Sequence, residues 1–252
     1  MAGVAAAGAS AFFVRRAPQA TAPIRLFCFP FAGGGASIYR DWGADLPGVD
    51  VIAVQPPGRE HRYGEQPYTD LRALTADLAM AIEPLLDRPF VFFGHSMGGS
   101  IAYQLACDLQ ARGRTAQRLI LSARPAPHLP PDRGPMHTLS DEAFKVELRK
   151  LAGTPAAVLE NDELMEFLLP TLRADFELCD TYACPREAVL DVPMTLFYGE
   201  DDATAGAGTV APWSEYTTRD VSVLAFPGNH FFVQTQKTAV LGAIRGALTA
   251  LR

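Results

Sequence analysis

Short apolar runs alternate with amphipathic stretches along most of the chain and predict alternating strands and helices. The apolar, β-prone runs have the length of buried strands. The stretch 69–86 instead carries leucine and isoleucine three or four residues apart, as on one face of an amphipathic helix. Strands that alternate with helices are typical of a mostly parallel sheet with helices on both faces. The predicted strands are 24–29, 49–54, 89–93, 118–123, 192–199 and 221–226, and a closing helix reaches 251.

One strand–turn–helix junction carries recognisable chemistry. Gly94-His95-Ser96-Met97-Gly98 matches G-x-S-x-G, follows an apolar run and opens a helical stretch. In such a nucleophile elbow the serine occupies a strained turn with its hydroxyl exposed above the sheet, and the glycines prevent clashes with the neighbouring strand and helix. The N–H of Met97 begins the helix, where an anion is favoured. We therefore expect Ser96 to be a nucleophile.

A glycine-rich loop follows the first predicted strand. Ala32 precedes the glycines 33–35, which let the backbone approach a ligand closely. In α/β-hydrolases the loop after an early strand supplies the second N–H of the oxyanion hole. The alternative is a phosphate-binding loop, but neither of the glycine motifs of such loops is present. We expect the N–H groups of Ala32 and Met97 to form an oxyanion hole.

The predicted nucleophile needs a base and an acid. A histidine activates the serine hydroxyl, and a carboxylate orients that histidine. On this fold the order along the chain is Ser, Asp or Glu, and His. Of the five histidines, only His230 follows the acidic turn after a late strand, so His230 is the predicted base. In the acidic turn Glu200-Asp201-Asp202, the spacing from Gly199 favours Asp202 as the acid, with Asp201 as the alternative.

The alternation of strands and helices breaks between 124 and about 191. Prolines open this stretch, and helical segments follow at 139–151 and 162–181, the second with an interruption at Pro170. An insertion at this point of a hydrolase sheet indicates a lid over the active site, so we expect a lid at about 125–190. Phe167 and Leu168 are its candidate substrate contacts. The alternative is that these apolar faces pack on the core.

Composition and charge limit the remaining classes of protein. The chain has 252 residues, enough for one buried core, and a formal net charge of −6. That charge, without a basic block, argues against nucleic-acid binding. No apolar run has the length of a membrane span, and the basic residues do not precede the N-terminal apolar stretch as they do in a signal peptide. We expect a cytoplasmic protein with a flexible arm at 1–23 and a single α/β-hydrolase domain at 24–252.

Several blocks together resemble the type II thioesterases that accompany polyketide synthases and nonribosomal peptide synthetases. The resemblance spans nearly the whole chain beyond the N-terminal arm. Phe31 departs from it, because many members carry histidine there, and Asn229 stands where many carry glycine. We expect Phe31 to line the substrate pocket beside the oxyanion hole and to alter its polarity. The matching blocks are 29–34, Pro57-Gly58-Arg59 with Arg62, 94–98, 169–175 and 228–232.

The resemblance implies hydrolysis of acyl thioesters on the phosphopantetheine arm of acyl or peptidyl carrier proteins, which removes stalled or aberrant acyl groups. The arm belongs to the substrate, so neither a cofactor nor a metal is expected. Arg59 and Arg62 are candidates for contacting the carrier protein; the alternative is a solvated loop charge or an intramolecular pair. A general carboxylesterase or acyltransferase of the same fold, or a catalytically silent scaffold that docks carrier proteins, remains an alternative function.

Overall fold

The computed structural model describes residues 11–130, 133–151, 153–185 and 188–249. Its centre is a seven-stranded sheet. The strands are β1 (Phe13–Val14), β2 (Ile24–Phe29), β3 (Val49–Val54), β4 (Phe90–His95), β5 (Arg118–Ser122), β6 (Met194–Gly199) and β7 (Val221–Phe226). Their order across the sheet is β1-β3-β2-β4-β5-β6-β7, in which β1 is antiparallel to β3 and every other pair is parallel.

Helices cover both faces of this sheet. None of the helices in the described ranges is long and apolar enough to cross a membrane. Short 3₁₀ turns lie at 36–39, 60–62, 83–85, 136–138 and 211–216. The α-helices are α1 (Trp42–Asp45), α2 (Leu71–Ala81), α3 (Met97–Gln110), α4 (Asp141–Leu151), α5 (Ala156–Leu159), α6 (Asp162–Thr181), α7 (Ala207–Val210), α8 (Phe232–Thr235) and α9 (Lys237–Thr249).

The central strands are buried on both faces, which is why their sequences are continuous apolar runs. In β4, Phe92 packs in the same core cluster as residues of α2 and α3, whereas Phe93 packs with residues of α1 and α9 on the opposite face. Strand β2 divides in the same way between Phe27 and Cys28. The predicted mostly parallel sheet with helices on both faces is confirmed.

Helix α2 shows how local sequence sets the ends of an element. Asp70 precedes the helix, and its carboxylate accepts a hydrogen bond from the N–H of Ala73 at 2.9 Å, which caps an otherwise unpaired donor. The α-helix ends at Ala81, shortly before Pro84, whose ring and missing N–H do not fit a helix interior. The helix predicted at 69–86 therefore forms, but it is shorter at both ends.

The helical insertion, residues 125–190, contains α4, α5 and α6 and lies between β5 and β6. Helix α6 continues through Pro170, so the interruption predicted there is wrong. Pro170 and Glu166 are both exposed, and water can therefore satisfy the Glu166 carbonyl that loses its donor. The insertion has a small core of its own, formed by Met136, Phe144, Leu148, Leu159, Met165, Leu172 and Phe176.

The flexible arm predicted at 1–23 is wrong for residues 12–22, which pack against the sheet. Residues 1–10 lie outside the described part of the chain. Strand β1 pairs with β3, and the Phe12 side chain is only 7% exposed. The Arg62 guanidinium lies 4.4 Å from the centroid of the Phe12 ring. Gln19 bonds through its side chain to the backbone of Gly43 and Gly48. The apolar Phe12-Phe13-Val14 run is thus an edge strand.

We predict that Phe12→Ala lowers the free energy of unfolding by about 3 kcal/mol, because it empties a buried aromatic site. Phe167→Ala is the matched control: its ring is 61% exposed, and we expect little change. Urea unfolding of both variants measures the difference. Equal, small effects would show that residues 12–14 are only loosely attached to the sheet.

Candidate active site

The turn between β4 and α3 brings backbone into direct contact with backbone. A Cβ atom on Gly94 would lie 2.1 Å from the carbonyl oxygen of Gly98. A Cβ atom on Gly98 would lie 2.1 Å from the carbonyl oxygen of Phe29, at the end of β2. No side chain fits at either position, so both glycines of the G-x-S-x-G motif are required by packing.

Ser96 occupies this turn in a conformation that non-glycine residues rarely adopt. Its φ is 54° and its ψ is −116°. Such a backbone costs about 1–3 kcal/mol and persists only where the surrounding structure enforces it. The N–H of Ser96 donates to the carbonyl of Ser122 at 2.8 Å, which fixes the turn against the end of β5. The strained elbow expected from the sequence is present.

His230 connects Ser96 to Asp202. Its Nε2 lies 2.9 Å from Ser96 Oγ, and its Nδ1 lies 2.7 Å from Asp202 Oδ2. A carboxylate only accepts hydrogen bonds, so we assign the proton to Nδ1. Nε2 is then free to accept the proton of the serine hydroxyl. This arrangement can make Ser96 a nucleophile.

Asp202, rather than Asp201, is the carboxylate that meets the histidine. Asp202 Oδ1 accepts hydrogen bonds from Thr204 N at 2.9 Å, Thr204 Oγ1 at 2.8 Å and Ala205 N at 3.1 Å. Burial opposes ionisation of Asp202, but the hydrogen bond and charge of His230, with the Thr204 donors, outweigh it and lower the pKa to about 2. Glu200 and Asp201 are exposed. Asp202 is therefore ionised at neutral pH.

The backbone N–H groups of Ala32 and Met97 are the expected donors of the oxyanion hole. Ala32 follows β2, and Met97 is the first residue of α3. Ala32 and Ser96 line the same cavity. Within the described ranges neither N–H has a hydrogen-bond acceptor. Two unpaired donors near the serine are what an oxyanion hole requires.

A buried ion pair links the loop that carries Ala32 to the helical insertion. Asp175 of α6 accepts hydrogen bonds from Gly33 N at 2.7 Å and from the two terminal nitrogens of Arg59 at 2.5 and 2.8 Å. Arg59 also donates to the carbonyls of Gly34 and Pro57. Because its guanidinium is buried and fully engaged, Arg59 is not available to a carrier protein, and the prediction that it binds substrate is wrong.

Arg62 is also engaged within the protein. Its guanidinium donates to both carboxylate oxygens of Glu65, at 2.9 and 2.5 Å, and to the carbonyl of Gln55 at 3.0 Å. Its remaining surface covers the ring of Phe12. With the residue only 6% exposed, the predicted contact with a carrier protein is wrong for Arg62 as well. The intramolecular alternative holds for both arginines.

Ser96 and His230 line a cavity of about 430 Å³, whose other walls include residues of the helical insertion. Phe31 lines it as expected, with its ring edge-on to Phe231 at 5.0 Å between centroids. Leu172 and Phe176, one turn apart on α6, face the cavity together with Leu148 and Leu151 of α4. Within the described ranges no cluster of histidine, cysteine and acidic side chains is placed to hold a metal ion.

Phe167 and Leu168 do not line this cavity, and their role as substrate contacts stays a prediction. The Phe167 ring is largely exposed and packs near Tyr63, at 6.2 Å between centroids. Leu168 packs against the small core of the insertion. Leu168 lies on the same face of α6 as Leu172, one turn nearer the start of the helix, and of these two residues only Leu172 lines the cavity.

His95 is a site residue that the sequence did not indicate. It is completely buried, with Nδ1 2.9 Å from Ser122 Oγ and Nε2 2.9 Å from the carbonyl oxygen of His230. Because a carbonyl only accepts, we assign the proton to Nε2, which holds the backbone that carries the base. Burial, with the charge of His230, lowers the pKa of His95 to about 3. His95 is therefore neutral in the folded protein and holds the backbone of His230 in place through this hydrogen bond.

Removing Arg59 alone should destabilise the fold strongly. Arg59→Met leaves Asp175 as a buried carboxylate without its cation, and we expect a loss of about 4 kcal/mol in the free energy of unfolding. The double variant Arg59→Met/Asp175→Leu contains no buried charge and should recover more than half of this loss. Chemical denaturation measures all three proteins.

The matched control for this pair is Arg219→Met, because Arg219 pairs with Asp191 while both side chains are more than half exposed. We expect that variant to keep nearly the stability of the wild type. A double variant as unstable as Arg59→Met would show that the Asp175 contact with Gly33, rather than charge pairing, holds the loop.

The lowered pKa of His95 predicts that the free energy of unfolding decreases as the pH is lowered. In the folded protein this pKa is about 3 and the ordinary value is 6.5, so between these limits the unfolded chain binds the extra proton. Stability therefore falls as the pH decreases from about 6.5, by roughly 2 kcal/mol between pH 7 and pH 5. His95→Gln lacks this contribution, so its denaturation midpoint should change less over the same range. Parallel pH profiles of the two proteins would contradict the assignment.

Comparison with known proteins agrees with this geometry. The thioesterase domain family matches residues 24–248. The chain is 40% identical to the gramicidin S biosynthesis protein GrsT of Aneurinibacillus migulanus over 228 residues, 90% of this chain and 89% of GrsT. It is 35% identical to the thioesterase PikA5 of Streptomyces venezuelae over 247 residues, 96% and 88% of the two chains. The solved structure of the type II thioesterase BorB from the borrelidin biosynthetic cluster superposes with a TM-score of 0.87 at 34% identity, covering 96% of this chain and 98% of BorB. The chain therefore belongs to the thioesterase family and has the α/β-hydrolase fold of these enzymes.

Proposed function

We propose that the protein is a serine thioesterase that hydrolyses acyl thioesters on the phosphopantetheine arm of acyl or peptidyl carrier proteins and thereby removes stalled or aberrant acyl groups. The observation that carries the proposal is the hydrogen-bonded series Ser96–His230–Asp202 at the cavity of a chain that belongs to the thioesterase family. GrsT is named for gramicidin S biosynthesis, and a similar solved structure, ClbQ, is named for the colibactin NRPS/PKS pathway, which supports the same kind of substrate here.

In the proposed mechanism Ser96 Oγ attacks the thioester carbonyl carbon while its proton passes to His230 Nε2. The oxygen of the tetrahedral intermediate accepts hydrogen bonds from the N–H groups of Ala32 and Met97. The carbon–sulfur bond then breaks, and His230 returns its proton to the sulfur of the departing pantetheine. A water molecule then attacks the acyl-serine ester while His230 Nε2 takes its proton. The bond between the acyl carbon and Ser96 Oγ breaks, His230 returns the proton to Oγ, and the carboxylic acid is released.

We propose that the helical insertion acts as the lid of this site. Its side chains Leu148, Leu172 and Phe176 form one wall of the cavity. Because Asp175 accepts the N–H of Gly33, next to the proposed oxyanion donor Ala32, the position of α6 also sets the position of the oxyanion loop. A lid tied to this loop couples closure over an acyl chain to a competent oxyanion hole.

We predict that the protein converts acyl-carrier proteins to the free carrier, with acetyl, propionyl, malonyl and longer acyl groups compared by intact mass. Ser96→Ala should lower turnover by about 10⁴-fold or more, because the residues of such a triad act as a unit. The elbow is held by its glycines, so this variant should stay folded. A much higher activity on p-nitrophenyl esters than on acyl-carrier thioesters would favour a general carboxylesterase.

The acid provides the matched control for this experiment. Asp202→Asn should lose about 10⁴-fold in kcat, because the amide no longer fixes the histidine tautomer. Asp201→Asn makes the same change on an exposed neighbour and should retain activity. Turnover that survives both Ser96→Ala and Asp202→Asn would exclude the triad mechanism. If the wild type bound carrier proteins without any turnover, a catalytically silent scaffold that docks carrier proteins would be favoured instead.

A further inference from the structure

Arg124 lines the active-site cavity, which also contains the Asp180 carboxylate, and no ion pair joins the two side chains. Arg124 lies two residues beyond β5 and lines the cavity together with Ser96. Its Nε is buried and has no hydrogen-bond partner. Among the described residues, no side-chain hydrogen bond or ion pair engages the guanidinium, in contrast to the fully paired Arg59 and Arg62.

The surrounding backbone fixes the start of the Arg124 side chain beside the first turn of α3. A Cβ atom on Gly99, in the first turn of α3, would lie 3.0 Å from Arg124 Cβ. The carbonyl oxygen of Arg124 accepts a hydrogen bond from the buried indole of Trp213 at 2.8 Å. Ala123 precedes it with a φ of 50°, so the chain turns sharply just before this side chain. The backbone that carries the Arg124 side chain is therefore held in place just beyond the end of β5.

The acidic side chains on this side of the cavity are already engaged. Asp175 accepts from Arg59 and Gly33, and Asp180 accepts from His137 Nδ1 at 2.9 Å. The Cys179 thiol on α6 also faces the cavity; burial raises its pKa to about 12, against the opposing effect of the Arg124 charge.

A second arginine and several apolar side chains complete this part of the cavity. Arg133 lines it as well, with its guanidinium 5.7 Å from the centroid of the Phe176 ring. The nearby lid positions Leu148 and Leu151 are apolar. This part of the cavity therefore contains arginine side chains beside apolar ones.

Arg124 is half-buried and its Nε has no partner, so a carboxylate that enters the cavity can form a charge-assisted hydrogen bond with the guanidinium. We propose that Arg124 binds an anionic group of the substrate, a carboxylate carried by the acyl chain itself. The inference rests on the proposed thioesterase function and names the substrate class: short acyl groups that end in a carboxylate, such as malonyl or succinyl.

The phosphate of the pantetheine arm is the other possible source of an anion. That phosphate lies at the end of the arm attached to the carrier, far from the thioester. Arg124, by contrast, lies beside the first turn of α3, close to the serine that attacks the thioester carbon. An anion on the acyl side of the scissile bond fits this position better.

The test uses pairs of N-acetylcysteamine thioesters, which contain no phosphate. Malonyl is paired with isovaleryl and succinyl with 4-methylpentanoyl, so that a carboxylate is compared with an isopropyl group of the same shape. For the wild type we expect a higher kcat/KM on the charged member of at least one pair. Arg124→Met should lower the ratio of charged to neutral kcat/KM about tenfold or more. Arg124→Lys should retain part of the preference, because the charge remains.

Arg149→Met is the matched control, since Arg149 is an exposed arginine on α4 and its loss changes the net charge equally. We expect it to leave the ratio unchanged. Thermal denaturation of each variant reports its folding, and the conservative Arg124→Lys variant serves if Arg124→Met fails to fold.

Several outcomes would overturn the inference. If Arg124→Met lowers kcat/KM equally on the charged and the neutral member of a pair, the role of Arg124 is structural. A loss that appears only when the same acyl groups are presented on phosphopantetheine would assign the anion to the arm phosphate. Equal or lower kcat/KM of the wild type on the charged member of each pair would refute the inference and leave the proposed function intact. Failure of the wild type to hydrolyse any of these thioesters or any acyl-carrier protein would instead refute the proposed function.

Discussion

The contact of backbone with backbone at Gly94, Gly98 and Phe29 is the constraint on which the site depends. It brings the end of β4, the start of α3 and the end of β2 within van der Waals distance, and no side chain fits between them. The turn that results forces Ser96 to a φ of 54°, which lifts its hydroxyl out of the sheet. The same geometry leaves the N–H of Met97 at the start of a helix, where it favours a developing negative charge. Nucleophile and oxyanion donor are thus products of one packing arrangement.

A second constraint joins this rigid elbow to the helical insertion. The carboxylate of Asp175 satisfies Gly33 N and Arg59 together, so the oxyanion loop, the loop after β3 and α6 share one buried centre. Leaving either charge alone in this interior would cost several kcal/mol, and the pair therefore makes the three segments cooperative. A cavity wall held in this way can be adapted to an acyl chain through its apolar side chains without disturbing the elbow.

Local signals in the sequence were sufficient for the strands and for the three residues that form the hydrogen-bonded series Ser96–His230–Asp202. Ser96 and His230 stand in turns whose residue types have a defined chemistry, and Asp202 follows from spacing within one turn. The errors have a common physical origin, because each depends on a partner distant in the chain. Arg59 meets a carboxylate 116 residues away, which no local pattern specifies. Phe12 becomes an edge-strand residue only because β3 is there to pair with its neighbours.

Helix α6 illustrates the same limit, because apolar residues occupy more than one of its faces and periodicity alone does not say which face meets the cavity. Phe167 and Leu172 are both apolar, yet the first is exposed and the second lines the cavity.

The position of a charge, in the cavity or on the surface, also decides how strongly it can select a charged substrate. With a net charge of −6 the chain offers no long-range attraction to an anionic substrate, and surface charges are screened within about 10 Å at ordinary ionic strength. Arg124 lines the cavity instead of the open surface, so its charge acts over a short distance and is screened less. If Arg124 binds a carboxylate of the acyl group as proposed, discrimination by charge takes place after the acyl group has entered the cavity that also contains Ser96.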